Sequence, residues 1–204
     1  MPFQVRRVPI RFRRLTLDNF SEFESLTADE SEGGCYCSFW HQKWSSMSDW
    51  EKCKKETPGN NRAIVLEKVR SGFHVGVLAY RGDDLAAWVS VGPLPDYYWT
   101  WRRVAQRGDA AKTVAGVLCI TIRPILRRTG LQKELLYALK GYGKEEGWSS
   151  IEGYPFDPSA IERHGDKLSW PGLTKGFMDA GFVRTEPHWL SSPDAARSIY
   201  SCDL

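Results

Sequence analysis

The sequence predicts a mixed α/β (α+β) fold in which helices flank one mixed central sheet, and three observations predict it. Amphipathic helical stretches alternate with short β-rich runs, and no Pro/Gly/Ser-rich linker separates them. His74 to Tyr80 and Leu85 to Val91 are two such runs joined by Gly82-Asp83-Asp84, a hairpin pattern. Thr113 to Ile122 is a nearly continuous apolar run, the pattern of a strand covered on both faces. The length of 204 residues fits one large domain, 1–204. At 42% hydrophobic and 26% charged residues the chain can bury a core and does not read as disordered.

Taken in order, Arg6 to Leu15 reads as a strand, with Val5, Val8, Ile10, Phe12 and Leu15 near-alternating. Asp18 is a candidate cap for a short helix with Leu17, Phe20 and Phe23 on one side. Asp29 to Gly34 reads as a loop, followed by the dense aromatic stretch Cys35 to Trp44. Pro58 separates two helices, Ser48 to Lys55 and Asn60 to Arg70, the second ended by Gly72. After the hairpin, Gly92 to Trp101 is a loop or short helix carrying Tyr97, Tyr98, Trp99 and Trp101. Pro124 stops the apolar strand. A helix then opens at Thr129 or Gly130, with Leu131, Leu135, Ala138, Leu139 and Tyr142 on one stripe, and closes at Gly147. Ser149 to Tyr154 is a strand, and Pro155 to Trp170 is an irregular loop over the site. Gly172 to Ala180 is a helix, and strands are expected from Phe182 and over Ile199 to Cys202.

The net charge of +3 is set by the N-terminal arm. Arg6, Arg7, Arg11, Arg13 and Arg14 face no acid there, so the rest of the chain is net negative. A solvated basic strand face is expected, and nucleic-acid binding is not. No apolar run reaches the ~18 residues of a membrane span, and the N-terminus lacks the apolar core of a signal peptide, so a cytoplasmic protein without membrane contact is expected. Five cysteines, Cys35, Cys37, Cys53, Cys119 and Cys202, are an odd number without a secretory context. Cys35, Cys37, His41 and Cys53 are zinc-ligand types, but the Cys-x-Cys start departs from the usual Cys-x2-Cys. Buried thiols and no metal are expected.

The chemistry-bearing run is Cys119 to Gln132, where a buried strand enters a basic turn that opens a helix. The first N–H groups of a helix have no intrahelical acceptor, and its dipole adds positive charge there. Gly130 lets backbone approach a bulky anion, and Arg127 and Arg128 add formal charge. Such an arrangement is a pyrophosphate cradle. It is neither a P-loop nor a Rossmann fingerprint, because neither glycine pattern occurs.

This run resembles the coenzyme A-binding motif of the GNAT superfamily of N-acetyltransferases, Gln/Arg-x-x-Gly-x-Gly/Ala. Arg127, Gly130 and Gln132 occupy its three positions, and Pro124 precedes Arg127 by three. Gln132 departs from the usual Gly or Ala, which alters the last phosphate contact or makes Gln132 itself a donor. Phe177 to Phe182 is similar to the family's C-terminal helix ending in Gly-Phe, and the element order matches over residues 5–203.

The resemblance implies a GNAT fold with a splay between the fourth and fifth strands, and acetyl-CoA as acyl donor within it. It implies that backbone at Leu118, Cys119, Ile120, Thr121 and Ile122 meets the acetyl and pantetheine groups. It implies that Arg127, Arg128, Thr129, Gly130, Leu131 and Gln132 hold the pyrophosphate. The reaction would be direct attack by a primary amine of a small molecule on the thioester. The alternatives left open are a weak or inactive acyl-CoA-binding module and an enzyme acting on a protein or peptide amine.

Many family members carry a Tyr acid where this chain has Phe177. Glu152 as base and Tyr154 as acid are therefore the catalytic candidates, with Tyr97 and Tyr98 as further acids. His74 and Cys119 read as structural. Trp40, Trp44, Tyr97, Tyr98 and Trp99 would line the acceptor side, where aromatic rings can hold a cationic amine. A homodimer is compatible with the resemblance, since many relatives dimerise.

Overall fold

The computed structural model describes residues 8–27 and 34–204. Arg6 and Arg7 of the basic arm, and the loop up to Gly33, lie outside the described residues.

The strands are β1 (Ile10–Arg14), β2 (Val77–Arg81), β3 (Asp84–Pro93), β4 (Val114–Ile122), β5 (Ser150–Gly153), β6 (Val183–Pro187) and β7 (Ser198–Asp203). They form one sheet in the order β1-β2-β3-β4-β5-β7-β6. β1 to β4 pair antiparallel, so tight turns suffice between β2 and β3. β4 and β5 are parallel and need a crossover, which a helix supplies.

The helices are α1 (Phe20–Thr27), α2 (Met47–Glu56), α3 (Pro58–Arg70), α4 (Trp101–Arg107), α5 (Leu131–Glu145), α6 (Pro158–His164) and α7 (Thr174–Asp179). α5 is that crossover. Its Leu131, Leu135, Leu136 and Leu139 are all buried, three of them on the stripe read from the sequence. Leu136 and Leu139 pack with Val89, Trp148, Phe177 and Phe182 on one face of the sheet. On the other face Phe20 and Phe23 of α1 join Trp40, Trp88, Tyr97, Leu118 and Tyr154.

Several expectations need correction. α1 is entered through Asn19, not Asp18: the Asn19 Oδ1 accepts the Thr16 N–H and its Nδ2 donates to the Arg14 carbonyl. Leu17 lies before the helix and is exposed. β2 begins at Val77, after Gly76, where a Cβ would meet the Trp88 ring at 2.3 Å and the Val89 carbonyl at 2.5 Å. The chain at Gly76 is pressed under that indole and does not pair as a regular strand. Gly92 to Trp101, expected as a loop or short helix, holds the end of β3 and short 3-10 turns, and a helix the sequence did not announce, α4, follows, with a 3-10 turn over Gly108–Thr113 before β4. Residues 155–170 are not wholly irregular: Pro158 opens α6, as proline does at a first helical position. α2 and α3 stand close to the expected spans, α2 capped by the Ser46 hydroxyl on the Asp49 N–H.

Three of the four histidines, His41, His74 and His188, are 4% exposed. The His74 Nδ1 donates to the Val91 carbonyl, which leaves Nε2 to accept from the Tyr142 hydroxyl. His74 is thus a bonded core residue, as the sequence reading has it. Burial holds the imidazoles neutral, pushing His41 down to about 3, His74 to about 4 and His188 to about 2.

These depressed values set a pH dependence. Below the ordinary histidine value of ~6.5 the unfolded chain takes up protons that the native state refuses, so stability falls with pH. Each histidine contributes up to about 1.4 kcal/mol per pH unit. The melting temperature is expected to drop steadily from pH 6.5 to pH 4.5, and His188→Phe is expected to flatten that slope. A melting temperature constant across this range contradicts the assignment.

Candidate active site

β4 and β5 stay together over only Val114–Val117 and Ser150–Gly153. Three local features part them. A bulge against β3 leaves Leu118 as an extra residue, because Ser90 pairs Cys119 and Val91 pairs Val117. Bulges bend the strand that carries them. Across the gap, Pro155 has no N–H to continue the ladder. The chain beyond β5 turns instead toward the β7 side, where Phe156 bridges Arg197 and the Asp157 N–H donates to the Ala196 carbonyl at 2.8 Å. Leu118 to Ile122 therefore presents a backbone edge that β5 does not cover.

At the far end of this edge the chain makes the basic turn. A cleft of about 340 Å³ lies there, lined by Thr121, Ile122, Arg123 and Arg127 with Ser25 and Leu26 of α1. Arg127, Arg128, Thr129 and Gly130 are exposed. Gly130 has φ +84° and open space where a Cβ would stand, so the chain opens α5 without obstruction. Arg128 is itself left-handed at φ 62°. The Arg127 Nε donates to the Ile122 carbonyl at 3.0 Å, which turns its guanidinium along the strand edge. The Leu131 side chain is buried, so only its backbone remains for a ligand. This end fits a diphosphate: unpaired helix N–H groups, three arginines and room.

The middle of the edge differs from expectation. The Ile120 N–H donates to the Trp170 carbonyl at 2.8 Å. Gln132 does not face the cleft. Its Nε2 donates to the Leu173 carbonyl and its Oε1 accepts the Leu173 N–H, each at 2.9 Å. Residues 169–173 thus form a strap over the opening, fixed at one end by Gln132 and at the other by Ile120. Trp170 is seated against Trp40 at 5.2 Å and Phe156 at 5.7 Å between ring centroids. The departure of Gln132 from the motif was visible in the sequence, but its partner was not.

The two catalytic candidates are corrected. The Glu152 carboxylate is fully buried and accepts from Arg103 Nε and Nη2 at 3.0 and 2.6 Å, from Arg107, and from the Tyr154 hydroxyl at 3.1 Å. A carboxylate so engaged has no open lone pair for a substrate amine. Tyr154 is equally buried, and burial pushes its phenol well above the usual value. Phe177, at the expected acid position, is buried against Gly153, where a Cβ would lie 2.0 Å from its ring.

Leu118 and Cys119 are core residues. The Cys37 thiol takes a hydrogen bond from the Trp88 indole at 3.3 Å and is pushed up by its bond with Cys119 and by burial. All five cysteines are thiols. Cys53 bonds Asn61, away from that pair, and among the described residues no group of three His, Cys, Asp or Glu side chains stands ready for a metal.

The two aromatic segments do come together. Phe39 stacks on Trp99 at 5.3 Å and 4°, and His41 stacks on Tyr97 at 5.1 Å. Trp40 and Tyr97 are core rather than wall. Trp44 and Trp99 are half-buried, with the Trp99 indole bonded to the Gln42 carbonyl, and Tyr98 is exposed. Sequence reasoning missed Arg103, Arg107, His188 and Arg197, which surround Tyr154. Their signal was weak, since each looks like a surface residue in its own segment.

No family model matches the sequence, and no curated protein matches it. Solved structures match over nearly the whole chain. AAC(6')-Ib in complex with paromomycin and acetyl-CoA is 13% identical with a TM-score of 0.59, covering 96% of this chain and 93% of its own. Ard1 from Thermoplasma volcanium is 11% identical with a TM-score of 0.51, covering 97% and 99%. A GNAT family acetyltransferase from Bacillus cereus is 10% identical with a TM-score of 0.51, covering 95% and 96%. The splayed parallel pair inside a mixed sheet defines the class of this protein. Its fold is the GNAT fold.

If the Glu152 cluster is a structural joint, cutting it costs stability. Glu152→Ala leaves two arginines facing an empty buried site and is expected to lower unfolding stability by about 3–5 kcal/mol. Denaturant unfolding measures it, and a loss under 1 kcal/mol contradicts the assignment.

Proposed function

We propose that this chain is an acetyl-CoA-dependent N-acyltransferase that moves an acetyl group to a primary amine of a small molecule. The observation that carries the proposal is the continuous edge from Leu118 to Gly130. A strand backbone that β5 leaves free, and that only the Trp170 strap crosses, leads into an open, cationic helix start, as a long donor with a phosphate end requires. The Arg123, Arg127 and Arg128 guanidiniums and the first N–H groups of α5 would hold the diphosphate. The β4 edge would orient the donor arm through backbone pairing, once the Trp170 carbonyl gives up the Ile120 N–H. That N–H is a fixed dipole that can stabilise charge developing on an acyl oxygen. When bound, the donor supplies the activated thioester. The chain supplies alignment of two reactants, an effect large enough to carry much of an acyl transfer to an amine. Neither Glu152 nor Tyr154 enters as acid or base.

A second reading, a non-catalytic acyl-CoA-binding module, is favoured by the strap and by the absence of a free acid or base at Glu152, Tyr154 and Phe177. A thiol-release assay with acetyl-CoA over a panel of amines separates the two. Thiol release with at least one amine supports the enzyme. Acetyl-CoA binding without release for any amine or peptide supports the module.

Two variants test the donor site by calorimetry with acetyl-CoA. Arg127→Ala is expected to weaken binding by about 1–2 kcal/mol, the scale of a charge-assisted hydrogen bond. An unchanged affinity removes Arg127 from the phosphate site. Gln132→Ala is expected to tighten binding about tenfold by releasing the strap's clasp. Weaker binding would instead make Gln132 a ligand of the donor.

A further inference from the structure

We propose that Arg197 is a recognition residue for a carboxylate, so that the acceptor is an amine that also carries a carboxylate group. The inference rests on the acyl-transfer reading and deepens it.

Arg197 precedes β7 and is 5% exposed. Its backbone is fixed: the N–H donates to the Ser191 hydroxyl and the carbonyl accepts from the His188 N–H. Its side chain is not so well served. A guanidinium has five N–H donors. One of them donates to the Tyr154 carbonyl at 2.8 Å, and the buried Nε has no partner. Among the described residues no carboxylate forms an ion pair with it.

The acids nearby are engaged elsewhere. Glu152 is held by Arg103 and Arg107. Asp157 accepts from the Ser198 hydroxyl at 3.0 Å and pairs with Arg184 at 3.6 Å. The other neighbours add no negative charge. Tyr154 and His188 are neutral, and Phe156 and Trp170 flank the guanidinium carbon at 4.6 and 5.4 Å from their ring centres. Burial pulls the Arg197 guanidinium down to about 9, still charged at neutral pH. The Tyr154 carbonyl and the faces of Phe156 and Trp170 compensate this cation in part, but a buried guanidinium without a carboxylate remains disfavoured until an anion pairs with it. A planar guanidinium matches a carboxylate in charge and shape.

The position suits an acceptor. Trp170, whose ring lies over Arg197, is the strap residue whose carbonyl holds the Ile120 N–H. Arg197 therefore lies one side chain from the β4/β5 opening, on the β5–β7 side, away from the arginines at the start of α5. The site has the wrong charge for a polycation such as an aminoglycoside.

The test compares free L-amino acids with their own carboxamides, so that each pair differs only in the carboxylate. Thiol release is measured with acetyl-CoA, and tryptophan fluorescence is titrated with each pair without donor. The carboxylate member is expected to be preferred by about tenfold or more in both assays. Arg197→Met is expected to abolish the preference without lowering the melting temperature, because relief of the buried charge offsets the lost Tyr154 hydrogen bond and ring contacts. Equal use of acids and amides by the wild type, or no carboxylate-dependent fluorescence change, overturns the proposal. A lower melting temperature for Arg197→Met with the preference intact assigns Arg197 a structural role and also overturns it. If no amine releases thiol, the enzyme reading fails, and the fluorescence titration alone decides the carboxylate site. Should Arg197→Met not fold, Arg197→Lys, which keeps the charge but not the planar fork, is expected to weaken the preference. The wild-type comparison stands in either case.

Discussion

The contact between β4 and β5 ends at Val117 and Gly153, and the rest of the site follows from that limit. A longer ladder would close the sheet and bury Leu118 to Ile122 between two strands. The Leu118 bulge and Pro155 end it, so backbone donors and acceptors of β4 are left to find other partners. In this structure some of those partners are internal. The Trp170 carbonyl and the Arg127 side chain take groups at Ile120 and Ile122. A ligand that binds along β4 therefore exchanges hydrogen bonds rather than filling a void.

The β5 flank of the opening is tied down by charge as well as by strand pairing. Glu152 on β5, itself shut off from water, ties down the buried Arg103 and the part-exposed Arg107 from α4. Buried clusters of this kind fix geometry more than they stabilise, since desolvation offsets much of the attraction. Arg103 also reaches Glu186 on β6 at 2.7 Å, so the cluster joins α4, β5 and the sheet edge. On this account the two flanks of the opening differ in purpose. The α5 side offers exposed arginines, whereas the β5–β7 side holds Arg197, buried and without a carboxylate partner among the described residues.

Much of the fold was legible because local pattern and tertiary role agreed. The apolar stripe of α5, the β2–β3 hairpin and the unbroken run of β4 are signals of burial, and burial is what these elements do. The basic turn was legible for the same reason: Arg127, Arg128 and Gly130 stand together in sequence and are exposed together at the start of α5. The surroundings of Glu152 and Tyr154 were not legible because they depend on partners far along the chain. Glu152 reads as a carboxylate free to act as a base until Arg103, 49 residues away, is brought against it. α4 itself was hidden, since its buried residue is an arginine and no apolar stripe announces it. Gln132 was flagged by its bulk, but a clasp on Leu173, 41 residues on, leaves no trace in local sequence.

In the proposed complex a donor binds along β4 by replacing the Trp170 carbonyl at Ile120. Amide spectra of nitrogen-15-labelled protein titrated with acetyl-CoA test it most directly. The Ile120 amide, the amides of Gly130 to Gln132 and the Trp170 indole are expected to shift together along one binding curve. Saturable binding that leaves Ile120 and Trp170 unmoved would contradict it.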